Sequence, residues 1–138
     1  MAANTSPIYT RTPDIQWGAA AIATANTAKD GTGTVVTAFT ADATEGGYVT
    51  RLQARAIGTN IATVLRVFVN NGSSNATPGN NVLIAEATCP ATTLSEVVAL
   101  APIDIPLNIA LPAGYKLNCT IGTTIAAGLM LAAFGGKY

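Results

Sequence analysis

The chain has 138 residues, with seven basic side chains, seven acidic ones and no histidine. Nearly half of it is apolar (49%) and only 10% is charged, against an ordinary share of about 25%. This balance excludes an intrinsically disordered chain, leaves no basic surplus for nucleic acid, and removes the commonest metal ligand and general base.

Residues 1–13 set Pro7 and Pro13 among Thr, Ser, Asn and Arg. That composition predicts an extended N-terminal arm, followed by a single domain over 14–138. At about 3.3 Å per residue such an arm spans at most about 43 Å. Its Ile8, Tyr9 and Arg11 are side chains that gain by burial against a partner. The start of the chain lacks the basic and apolar regions of a signal peptide, which predicts synthesis in a cytoplasm.

Short β-type runs follow at 17–25, 34–39, 48–57, 62–70, 81–87, 94–100, 107–110, 115–121 and 129–134. The alanine-rich part of the first suits a helix by propensity, but Gly18 and the Thr24, Asn26, Thr27 cluster favour strand and loop. Between the runs lie turn residues such as Glu45-Gly46-Gly47, Asn70-Asn71-Gly72 and Pro112-Ala113-Gly114. Turns about every ten residues predict an all-β jelly-roll β-sandwich of eight or nine strands.

Alternation assigns faces within these runs. Leu52, Ala54 and Ala56 oppose Arg51, Gln53 and Arg55; Tyr115, Leu117, Cys119 and Ile121 oppose Lys116, Asn118 and Thr120. The run 62–70 is apolar on both faces, with Leu65, Val67 and Val69 on one and Val64 and Phe68 on the other. Either this strand is covered on both sides or its outer face meets a partner.

Residues arranged for catalysis are scarce. Gly31-Thr32-Gly33 is a tight turn without the rest of a phosphate or dinucleotide motif, and Asp30, Asp42 and Glu45 lack the spacing of a calcium loop. Cys119 falls on an apolar strand face, where a buried inert thiol is expected, and no disulfide with Cys89 is expected. Trp17 and Tyr48 are read as core or arm anchors. No metal, cofactor or catalytic residue is assigned, and no apolar run reaches the length of a membrane span.

Arg51, Arg55 and Arg66 lie on the polar sides of their strands. If 48–57 and 62–70 form a hairpin, Arg51 and Arg66 fall nearly opposite each other, which is unfavourable unless acids cover them. They are then solvated, or paired internally with Glu86 or Glu96, or a basic patch for an acidic protein surface.

Several segments together carry a resemblance. They are Asn4-Thr5-Ser6-Pro7-Ile8-Tyr9 with Pro13-Asp14-Ile15, Ala25-Asn26-Thr27-Ala28-Lys29-Asp30-Gly31-Thr32-Gly33, and Ala62-Thr63-Val64-Leu65-Arg66-Val67-Phe68-Val69-Asn70-Asn71-Gly72. Pro90-Ala91-Thr92-Thr93-Leu94-Ser95-Glu96 and Leu111-Pro112-Ala113-Gly114-Tyr115 belong with them. With these segments the chain resembles the cement (decoration) proteins of tailed bacteriophage capsids along nearly its whole length. The resemblance implies a jelly-roll structural protein, not an enzyme, on the outer surface of an icosahedral head. Its partner there is the major capsid protein, whose neighbouring subunits it bridges. A homo-oligomer is expected, a dimer before a trimer, with no nucleic-acid or membrane partner. The capsid contacts expected are Ile8, Tyr9, Arg11, Arg51, Arg55 and Arg66. The competing reading is a carbohydrate-binding jelly-roll module of a phage tail or fibre.

Overall fold

The computed structural model describes residues 10–138. Among the described residues eight strands are present: β1 (Thr12–Trp17), β2 (Val36–Thr40), β3 (Gly47–Ala56), β4 (Thr63–Asn70), β5 (Asn81–Cys89), β6 (Ile103–Leu111), β7 (Lys116–Ile121) and β8 (Leu129–Lys137). They form two four-stranded antiparallel sheets, in the orders β1-β8-β3-β6 and β2-β7-β4-β5. No α-helix occurs among the described residues; a single 3-10 turn, Pro78–Asn80, leads into β5.

The sheets face each other across one apolar layer, because alternation turns one side chain in two toward it. The first sheet contributes Val49, Leu52, Ala54, Ile105, Leu131 and Ala133; the second contributes Phe39, Leu65, Val67, Leu117, Cys119 and Ile121. Each large aliphatic side chain in this layer stabilises the fold by about 1.5–3 kcal/mol. A bulge between Val49 and Arg51 lets Val49 and Leu52 both face inward, with Arg51, Gln53 and Arg55 left on the outer side.

Three expectations from the sequence are corrected. The run 17–25 is not a strand: β1 ends at Trp17, and Ile22 makes only an isolated bridge to Leu129. Its alanines and threonines form a connection that carries the chain from one sheet to the other. The run 94–100 also lacks a strand. It too connects the sheets, and Leu94, Val97 and Val98 are exposed on it with no apolar face to join. The conditional pairing of 48–57 with 62–70 does not arise: β3 and β4 form no hairpin. They lie in different sheets, β3 between β8 and β6, β4 between β7 and β5. Thr12 and Pro13, grouped by composition with the arm, begin β1 instead. Proline is tolerated there because β1 is an outermost strand and needs no N–H on its open side. Residues 1–9, including Ile8 and Tyr9, lie outside the described residues.

The question raised by the two apolar faces of β4 is resolved within the chain. Asn26 N–H donates to Ile121 O (2.8 Å), Asn81 Nδ2 to Asp30 O (3.2 Å), and Asn75 Nδ2 to Gly31 O (3.1 Å) and Gly33 O (2.8 Å). These bonds pin 26–34 over the outer side of the second sheet. Phe68 and Thr120, which alternation turns to that side, are fully buried. Gly31 makes the approach possible: its φ is +80°, and a Cβ would sit 2.6 Å from Asn81 Cβ.

Candidate interaction surface

The outer side of the first sheet reads as rows running across the strands. One row is Ile15, Phe134, Arg51 and Pro106; the next is Trp17, Ala132, Gln53 and Asp104; Met130 and Arg55 start a third. The half formed by β1 and β8 is apolar, and the half formed by β3 and β6 is polar. Trp17 is 65% exposed, and Ile15 and Met130 are exposed beside it. The polar half is internally paired. Arg51 Nη1 donates to Asp104 Oδ1 (2.8 Å), and Gln53 Nε2 donates to the same oxygen (3.2 Å). The Arg51 guanidinium also lies 4.4 Å from the Phe134 ring centre, a cation–π contact that holds the two halves together. Arg55 donates to Gln53 Oε1 (3.3 Å) and is exposed.

An apolar centre with a polar rim is the common anatomy of a protein-binding surface. Here the centre borders a strand edge, since among the described residues β1 pairs on one side only. Such an edge offers unpaired backbone groups to an extended partner segment. The side chain of Gln16 turns to the other face and exchanges hydrogen bonds with the Thr40 N–H and C=O (2.8 Å each), tying β1 to β2. The edge strand is therefore held firmly while Ile15 and Trp17 face outward.

The sequence-predicted residues are not brought together. Arg51 and Arg55 share the outer side of the first sheet. Arg66 lies on the outer side of the second, where its Nε donates to Glu86 Oε1 (2.8 Å) and its side chain is only 12% exposed. Arg11 is at the start of β1 and pairs with Glu45 (2.8 Å).

Reading Trp17 as an anchor missed the apolar half of this surface. The signal was present: Pro13, Ile15 and Trp17 alternate with Asp14 and Gln16, but the prolines suggested an arm. A second exposed apolar group sits at one end of the molecule, with Ile57, Ile61, Leu94, Val97 and Val98 on the connections there.

Both cysteines are buried and free. Cys89 pairs with Thr63 and Cys119 with Val67, so β4 lies between them. Two strand spacings put them roughly 10 Å apart sideways, beyond the roughly 7 Å limit for a bridge. Complete burial pushes the Cys119 thiol up to about 12, so its reactive thiolate is scarce at neutral pH. We expect the native protein at pH 8 to leave Cys119 unlabelled by iodoacetamide, and the denatured, unreduced protein to take an adduct at both cysteines. Intact mass counts the adducts and peptide mapping locates them; rapid native labelling of Cys119 contradicts the burial. Among the described residues no group of three or more His, Cys, Asp or Glu side chains is placed to hold a metal ion.

No protein-family model, curated protein or solved structure matches this chain.

Proposed function

We propose that this protein is a cement (decoration) protein of a tailed-phage head, a structural protein and not an enzyme. In this reading it sits on the outer capsid surface, bridges neighbouring major capsid subunits and works as a homo-oligomer. The fold proposed is a jelly roll. It is supported by strand orders that place early and late strands side by side, β1 with β8 and β2 with β7. The observation that carries the functional reading is the outward-facing Ile15 and Trp17 on the open edge strand β1. A large indole left in water has little reason to be there unless a partner covers it. Ile8 and Tyr9, which lie outside the described residues, are further capsid contacts in this proposal. Many copies on a lattice then reinforce one another through effective concentration.

The test adds purified protein to phage heads that lack it. Saturable co-sedimentation and a higher temperature of head rupture are expected. Heads that bind none, or that rupture at an unchanged temperature when saturated, refute the proposal. The same indole favours a second reading, a carbohydrate-binding module of a tail or fibre, because exposed tryptophan is a stacking platform for sugar rings. Saturable glycan binding that requires Trp17, with no binding to heads, selects that reading.

A further inference from the structure

On the outer side of the second sheet, where β2, β7 and β4 meet the loop after Asn70, there is a polar cavity of about 220 Å³. It is lined in part by Thr37, Asn70, Ser73, Ser74, Lys116 and Asn118. We propose that this cavity is a binding site for a carboxylate group.

Its hydrogen-bonding inventory carries the inference. Asn118 is 3% exposed, and its Oδ1 accepts from Thr37 Oγ1 (2.8 Å). That bond orients the amide. Its Nδ2 donates to nothing among the described residues and opens on the cavity. This donor is reached from the cavity, since Thr120 Oγ1 and not Asn118 Nδ2 is the buried side-chain atom left without a partner among the described residues, so an accepting group in the cavity can bond it. The acceptors deepest in the wall are already engaged. Asn70 Oδ1 accepts from Gly72 N–H (2.8 Å), Ser74 Oγ from Ala76 N–H (3.3 Å), and Ser74 O from Asn80 Nδ2 (2.9 Å). The hydroxyl protons of Ser73 and Ser74 remain free to donate. Lys116 adds a cation with no carboxylate within ion-pair distance among the described residues, and no acidic side chain lines the cavity. Several donors, one unpaired positive charge and no acidic side chain in the lining fit a ligand group that accepts and carries negative charge. A sugar hydroxyl needs acceptors as well as donors and fits less well. No aromatic ring lines the site to stack on.

The rim is built before any ligand arrives. Asn71 Nδ2 bonds Asn80 Oδ1 (3.1 Å), and Asn75 ties the loop to Gly31 and Gly33. Gly72, at φ +89°, lies against Gly114 O, where a Cβ would come within 2.9 Å. A site held this way loses little entropy on binding. The site stands on its own chemistry, whatever surface the body attaches to.

The probes are sodium acetate and a blocked glutamate, N-acetyl-glutamate methylamide, titrated into the isotope-labelled full-length protein. Sodium chloride at matched ionic strength and a neutral monosaccharide are the controls. We expect saturable NMR shifts of the Asn118 side-chain amide and of the Ser73 and Ser74 backbone amides. Lys116→Met should weaken binding by about tenfold, as should the near-isosteric Asn118→Asp, which places a negative oxygen where the donor was. Lys116 is on the cavity wall and not in the core, so its variant reports even if Asn118→Asp does not fold. Tighter binding of the blocked glutamate than of acetate assigns the site to an acidic side chain of a partner protein; the reverse assigns it to a free small carboxylate. No saturable shift with either probe overturns the proposal. So do equal shifts with chloride, preference for the monosaccharide, or unchanged affinity in Lys116→Met.

Discussion

If the proposed capsid role holds, replacing Trp17 by alanine should weaken attachment to phage heads by at least about 30-fold, the effect of losing a central interface anchor of about 2 kcal/mol. The folded protein should hardly register the change. The indole is 65% exposed and stands over Ala132, a small cross-strand neighbour, on an outermost strand. Most of its surface is in water in the free protein, so its removal exposes little else and leaves no cavity. A change within about 0.5 kcal/mol is expected, or about 1–2 °C in Tm for a domain of this size. The pairing of the two measurements is the test. Co-sedimentation with heads reads the first and thermal unfolding the second. Normal attachment by W17A sinks the assignment of this surface, and a Tm lower by many degrees means the indole belongs to the fold after all.

The second large effect concerns stability. Phe68→Ala should destabilise the protein by about 3–5 kcal/mol, a large share of the roughly 5–15 kcal/mol that holds an ordinary domain folded. Phe68 is fully buried, but it lies on the outer side of β4, away from the layer between the sheets. Its cover is 26–34, pinned at Ile121, Asn75 and Asn81 by hydrogen bonds. Those pins keep the cover from collapsing into the space the ring leaves, so the cavity cost is felt. Phe68→Leu keeps most of the volume and should cost under about 1.5 kcal/mol. Denaturant unfolding gives both values. A loss below about 1 kcal/mol in F68A would show that 26–34 settles onto β4 without the ring.

Much of the class of this molecule is legible in the residues because its causes are local. Alternation at Leu52, Ala54 and Arg55, or at Leu117 and Cys119, needs only the geometry of one strand, and the inward set matches the buried set. Turn residues such as Gly46 and Gly114 adopt positive φ where the chain reverses, which is again a property of a few neighbouring residues. The misread stretches have the opposite character. In 17–25 and 94–100 the composition allows a strand, and whether one forms depends on a free edge elsewhere to pair with. Outer strands are available in both sheets, but these segments run from one sheet to the other, β1 to β2 and β5 to β6, and so lie along neither ladder.

The candidate surface divides in the same way. That Ile15 and Trp17 share a side of a strand is written in their spacing. That this side stays uncovered follows from β1 lying at the edge of its sheet, next to β8, whose partner residues are more than a hundred positions away. Arg51 and Arg66 have similar sequence surroundings, yet Asp104 neutralises one on one sheet and Glu86 the other on the opposite sheet. Only pairing across the whole chain decides such neighbours.

The sequence alone therefore determined an all-β chain of short strands, its turns, and the inward and outward sides of β3 and β7. Each of these follows from stereochemistry within a few residues. The tertiary structure decided which strands pair, which outer side is closed by 26–34, and which is left open around Trp17. Those outcomes depend on where a connecting segment comes to rest, and that is set by hydrogen bonds such as Asn75 to Gly31 between residues far apart in the chain. A strand's period of two carries no record of what lies over its far side.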